Sequence, residues 1–277
     1  LLDAGYSEQE IIDAGFDISG KIEVGYTVQD FYDENYTAND LKDFFNARQL
    51  RGDGVTPIYN ATQMKAAGFT ASELKDVGYT VTELKAGGFD AEDMRSALYT
   101  IDELDPEYSL TELRNGGFTV NELQTSIIYS TINAQQIHDA GFSVSESKDY
   151  YTLTELKEGG YTLVEFQADG SFPIQALHDV GYTAAEMRDV GYTPSELNTN
   201  TIYTLTELKE GGYTATDFKN DVNMTIQNSH DVGFTVAEMK TAGHTSGELK
   251  GIYELTEIKA GGYTATDFKN DVNMTVL

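Results

Sequence analysis

Three histidines recur in one local setting. His138, His178 and His230 each precede an Asp, then Ala or Val, then Gly. An imidazole changes charge near neutral pH and ligates transition metals, so the recurrence suggests a pH sensor or a metal site. Elsewhere in the chain the same position holds Lys or Arg near the end of a short helix, where a positive charge complements the helix dipole. That second reading needs no ligand and is the expectation for all three. His244 stands where other segments place an aromatic ring and is expected to pack as one.

Other polar groups have equally plain explanations. Asp13-Ala-Gly-Phe-Asp-Ile-Ser-Gly half fits a calcium loop, which needs oxygens at alternate positions around a tight Gly turn. Arg51-Gly52-Asp53 has the form of an adhesive tripeptide and falls in a loop-like interruption, where binding residues collect. Asn35, Asn60, Asn223 and Asn273 each begin an Asn-x-Thr glycosylation acceptor. Gly159-Gly160 and Gly211-Gly212 lack the strand and the Gly-Lys-Ser/Thr ending of a phosphate loop. No Ser, His and Asp in hydrolase order and no His-Glu-x-x-His helix stands out. The expectation is therefore no catalytic residue, no cofactor-binding residue and no specific metal site, and a protein that is not an enzyme.

The elements that hold these residues follow from a ten-residue period. Ala67-Gly-Phe-Thr-Ala-Ser-Glu-Leu-Lys-Asp is followed by Val77-Gly-Tyr-Thr-Val-Thr-Glu-Leu-Lys-Ala and Gly87-Gly-Phe-Asp-Ala-Glu-Asp-Met-Arg-Ser. The aromatic of this unit returns along the chain from Tyr6 to Tyr263. Internal repetition at a fixed period marks a repeat architecture.

Each position has a physical task. Thr80 is placed to cap a helix and Glu83 follows three residues later, the spacing of a capping box. Tyr79 and Leu84 stand at the spacing of a hydrophobic staple across that cap. Lys85 falls in the last turn, and Gly88 stops the helix in the left-handed conformation that glycine adopts most cheaply. Such an ending folds Phe89 back toward Leu84. Phe69, Thr70, Glu73, Leu74 and Gly78 play the same parts one unit earlier. Pro194 falls at the first helical position, where its missing N–H is harmless. Asn35, Asn223 and Asn273 replace the glycine, and Asn also tolerates the left-handed region.

Only six or so residues per unit are free to be helical, against the roughly 12–15 that an isolated helix needs. The helices must therefore stack on their neighbours. The spacing predicts an all-α solenoid or superhelix of very short capped helices, one per decad, running as a single array over residues 1–277. A longer period overlies it: residues 202–225 recur almost unchanged at 252–275, with looser copies from Tyr108 and Tyr151. The register breaks near Asn46–Ile58, Asp105–Glu107, Gln124–Thr131 and Asn198–Thr201, which are expected to be loops or helix extensions.

Composition agrees with a repeat: 18 Tyr, 13 Phe and 26 Gly, with neither Trp nor Cys, so disulfides and thiolate metal sites are excluded. With 46 acidic and 18 basic residues the formal charge is −28, which repels duplex DNA and anionic membranes. No apolar run approaches the roughly 18 residues of a membrane span.

The unit resembles the uncharacterised decapeptide-repeat arrays of the form Ala-Gly-Tyr-Thr-x-x-Glu-Leu-Lys-x found in proteins of large DNA viruses and unicellular eukaryotes. The resemblance implies a helical repeat fold and attaches no catalytic residue to it. Near-identical long copies, a first residue that is Leu and the want of a unique polar constellation lead to the expectation of a structural or assembly scaffold. On that view the chain is an internal or processed segment of a particle, filament or surface layer, at an extracellular surface or in a virion. Two alternatives stay open: a protein- or glycan-binding solenoid module, and an acidic cation-binding or adhesive surface protein. The partners expected are other proteins or further copies, with no nucleic acid and no membrane insertion. Diffuse, weak binding of divalent cations is left open.

Overall fold

The structure, a computed structural model, describes residues 4–7, 10, 13–221 and 223–271. Asn273 and the end of the second long copy, through Thr275, lie outside the described residues. Among those described, every regular element is helical and no strand is present. No described helix is long and apolar enough to cross a membrane.

The chain divides into two compact units, residues 1–142 and 143–277. The first contains α1 (Ile18–Glu23), α2 (Val28–Asp33), α3 (Ala38–Leu41), α4 (Ala47–Arg51), α5 (Ala61–Ala66), α6 (Ala71–Asp76), α7 (Val81–Ala86), α8 (Ala91–Ser96), α9 (Ile101–Leu104), α10 (Leu110–Asn115), α11 (Val120–Thr125) and α12 (Ala134–Asp139). The second contains α13 (Val144–Ser147), α14 (Leu153–Glu158), α15 (Leu163–Asp169), α16 (Ile174–Asp179), α17 (Ala184–Asp189), α18 (Pro194–Asn198), α19 (Leu205–Glu210), α20 (Ala215–Asn220), α21 (Ile226–Asp231), α22 (Val236–Thr241), α23 (Ser246–Leu249), α24 (Leu255–Ala260) and α25 (Ala265–Asn270).

Each helix begins and ends for reasons written in its own decad. At α7 the Thr80 amide donates to Glu83 Oε2 at 2.8 Å, and the Glu83 amide donates to Thr80 Oγ1 at 3.2 Å. The box repeats at Thr70 and Glu73, which cap α6. Pro194 stands in the first turn of α18 behind the Thr193 cap. At the far end of α7, Gly88 donates to the Lys85 carbonyl at 2.9 Å and Phe89 to the Leu84 carbonyl at 3.1 Å. This is the Schellman ending, with Gly88 at φ +85. Gly78 takes φ +92, and Asn35 does the same work at φ +67.

The bond from the aromatic amide to the preceding leucine carbonyl survives where the register breaks. Asn46 caps α4 inside the first break, and Tyr59 then reaches back over residues 51–58 to the Leu50 carbonyl at 3.4 Å. Tyr108 bonds the Leu104 carbonyl and Tyr203 the Leu197 carbonyl, both at 3.0 Å. After the third break a buried Ile132 fills the aromatic position before the Asn133 cap. The Ile132 amide bonds the Tyr129 carbonyl at 2.9 Å, so the leucine anchor stays at the other three breaks, where only the length of the turn changes.

Packing differs from the expectation in one respect. Helices stack mainly on the next but one: α3 on α5, α5 on α7, α6 on α8 and α8 on α10 in the first unit. In the second unit α13 packs on α15, α17 on α19, α20 on α22, α22 on α24 and α23 on α25, with direct neighbours touching at α18–α19 and α20–α21. Two interleaved rows result. Along the rows run buried Leu74, Leu84, Met94 and Leu104, and between them lie buried Tyr79, Phe89 and Tyr99, with Phe69 half-buried.

The paired glycines follow from this packing. A Cβ on Gly87 would sit 2.6 Å from Ala61 Cβ, and one on Gly211 would sit 2.8 Å from Ala184 Cβ. The first glycine thus admits the start of the helix two decads back, and the second supplies the left-handed stop. Gly87→Ala is expected to destabilise by about 1–3 kcal/mol through overpacking. Gly88→Ala, which meets no atom, is expected to cost about 1 kcal/mol through its backbone alone. Urea unfolding distinguishes the causes: adding Ala61→Gly should recover part of the Gly87→Ala loss, the Ala61 carbonyl carbon at 2.8 Å remaining in the way, and should leave the effect of Gly88→Ala unchanged.

Candidate functional site: an inter-helix clasp and the positions that depart from it

The basic residue of each decad does more than face its own helix dipole. Lys75, on α6, lies 3.7 Å from the Tyr99 ring centroid and donates to the Leu98 carbonyl at 3.1 Å. Lys209, on α19, lies 4.8 Å from the Phe234 ring and donates to the Val232 and Gly233 carbonyls at 3.1 and 2.6 Å. In both cases the cation closes the C-terminal end of the helix two decads on, where orphan carbonyls and the negative end of the dipole meet. Lys85 repeats the pattern over Tyr108 and adds Glu112 at 3.0 Å.

Tyrosine closes the same gap from the other side. Tyr59 donates its hydroxyl to the Tyr36 carbonyl at 2.7 Å, Tyr108 to Phe89 at 2.7 Å and Tyr253 to Phe234 at 2.8 Å. Burial pushes the Tyr59, Tyr79, Tyr108, Tyr203 and Tyr253 hydroxyls up to about 12. At Glu112 the Ser109 backbone amide, and then Lys85, pull the carboxyl down to about 2.

Two of the histidines occupy the clasp. His178 presents its ring edge-on to Tyr203 with centroids 4.7 Å apart, and His230 does so to Tyr253 at 4.9 Å, where lysine stands in other decads. His244 fills the aromatic position, where its side chain is buried and its carbonyl accepts the Tyr263 hydroxyl. Arg51 is also a clasp residue: it lies over the Tyr79 ring at 5.5 Å and donates to the Gly78 carbonyl at 3.3 Å. The adhesive tripeptide is therefore tied down at its first residue. Asp17 of the half-fitting calcium segment caps α1, accepting the Gly20 amide at 2.8 Å. Among the described residues no group of three His, Asp or Glu is arranged to hold a metal ion.

Among the described residues Ser147 and Ser229 are buried where other helices place leucine, and two further departures carry a charge or a strained backbone. Lys21 stands in the leucine position of α1 and is buried, ion-paired with Glu34 and donating to the Tyr36 hydroxyl at 3.3 Å. Tyr26 donates to the same Glu34 at 2.9 Å. Burial works against the lysine's charge, yet the bonds from Glu34 and Tyr36 hold its pKa above the usual value.

Leu98 stands where Gly78 and Gly88 stop their helices, at φ +58, and its side chain is 83% exposed. A left-handed backbone costs a non-glycine residue about 1–2 kcal/mol. Leu98 borders a groove of about 870 Å³ lined by Tyr99 and Phe118 and by the acids Glu92, Asp102 and Glu122. Arg95, the cation of that lining, is paired with Glu122 at 3.2 Å. Past Ser126, also in the lining, the Asp102 carboxylate accepts the Ile127 and Ile128 amides at 3.1 and 3.2 Å. Ile127 is 85% and Ile128 45% exposed. Both departures were visible as residues out of keeping with their slot, Lys for Leu and Leu for Gly.

Short capped helices stacked in two rows and clasped through cations and tyrosines define an all-helical tandem-repeat protein. Residues 59–126 match the family model described as Decapeptide repeat region, a stretch that begins at the first aromatic after one register break and ends within another. No curated protein and no solved structure matches the chain.

Two tests follow. Tyrosines with raised pKa values stabilise the fold fully below pH 10 and lose that contribution as pH rises toward 12. Helical circular dichroism should therefore fall across this window together with a delayed rise of tyrosinate absorbance. Replacing Lys21 alone by Leu leaves the half-buried Glu34 without its cation and should destabilise by roughly 3 kcal/mol, whereas Lys21→Leu with Glu34→Ala should return to within about 1 kcal/mol of the parent in urea titrations.

Proposed function

We propose that the chain is a structural scaffold, a stiff segment that builds a larger particle, filament or surface layer. What carries this reading is the clasp: recurring lysines, arginines and tyrosines engage helices two positions away while Thr and Glu cap their own helix, so the residues present in most copies serve rigidity. The near-identical long copies support the same view, since repeated copies present one surface many times over and so suit repetitive assembly. The charge of −28 keeps such a segment soluble and favours basic partners or a saline medium.

The reading is tested by sedimentation and small-angle scattering over rising protein concentration, with electron microscopy of the products. Concentration-dependent association into ordered assemblies is the expected result. A monodisperse monomer at high concentration, together with failure to recover the chain in any high-mass complex, would overturn it.

A further inference from the structure

We propose that the groove beside Leu98 is a docking site for a basic, aliphatic segment of another protein, with Leu98 as its anchor. In the surrounding decads glycine supplies the left-handed stop, at Gly68, Gly78, Gly88 and Gly117. Leu98 holds that conformation against its own preference, and its side chain gains no packing in return because it stands in solvent. Strain that buries nothing within the chain points to a role toward something outside it.

The groove's other features specify the occupant. Ile127 and Ile128 are held in place by the Asp102 carboxylate, so exposed aliphatic side chains are presented in order beside a lining residue of the same groove. Single exposed apolar residues are ordinary on a protein surface, but several around one concavity make a binding patch. Among the charged lining residues, Glu92, Asp102 and Glu122 outnumber Arg95, which is already paired. Such a surface attracts lysine and arginine and repels a second copy of this acidic chain. The fitting segment alternates aliphatic residues, which meet Leu98 and Ile127, with basic residues, which meet the carboxylates. The site lies within the first unit and does not depend on whether the chain assembles into a particle.

The test is fluorescence anisotropy of a short labelled peptide of alternating Lys and Leu, titrated with the full chain. Saturable binding is expected, weakened about tenfold or more by Leu98→Gly and by Ile127→Ser. Leu255→Gly, which removes an exposed leucine elsewhere, should leave it unchanged. Because Leu98→Gly relieves backbone strain, its melting temperature should rise as binding falls, which separates lost docking from lost folding. Absence of binding, equal binding of an alternating Glu-Leu peptide, or undiminished affinity in Leu98→Gly would overturn the proposal. So would a concentration-dependent dimer of the parent that Leu98→Gly abolishes, since the groove would then hold a second copy.

Discussion

A six-residue helix is almost all ends. The first four amides and last four carbonyls of any α-helix lack partners within it, so in helices of this length nearly every backbone polar group has to be satisfied from outside the regular bonding pattern. The architecture is an answer to that shortage. Capping boxes take up the amides at most starts. Where a helix ends in a Schellman turn, as α7 does, the turn takes up two carbonyls. Lysine and arginine from two decads back take up the carbonyls that remain, as Lys209 does for Val232 and Gly233. Where the ring is tyrosine, as at Tyr59, Tyr108 and Tyr253, its hydroxyl does the same for the carbonyl before a cap. Hydrophobic burial holds the rows together, but hydrogen bonding decides which residue types the rows contain.

This explains what was legible in the amino-acid order. Thr80, Glu83, Leu84 and Gly88 act on their own turn, so their roles follow from spacing alone, and the structure places each as that spacing requires. Stacking on the next helix but one was not legible, because a ten-residue period looks the same whether a helix meets its first neighbour or its second. For the same reason Lys75 read as a partner of its own helix dipole, when its ammonium group reaches the end of another helix. Gly87 and Gly88 look alike in sequence yet answer different demands, one of space and one of backbone conformation.

A repeat this regular supplies its own standard of comparison. Where every decad needs the same residue for the same reason, a departure carries information that a lone unusual residue in an ordinary domain would not. His178 and His230 keep the ring contact of the clasp with a smaller, conditionally charged group. Lys21 carries a charge into a leucine position and brings an acid with it. Leu98 surrenders the glycine's conformational ease and gains no burial. The histidines keep their ring contact, and Lys21 is compensated inside the fold. The third is not, and that difference, rather than any motif, singles out the groove beside it.

The two rows also bear on how such a chain grows. The long copy that starts at Ile202 contributes α19 and α20, and its near twin at Ile252 contributes α24 and α25. The equivalents stand five helices apart in the series, an odd step, so the same stretch of amino acids serves in opposite rows of the second unit. Neither row requires a dialect of its own. A gene encoding this architecture is therefore free to lengthen or shorten by any whole number of decads, even or odd, and each inserted unit meets surfaces that already accept it.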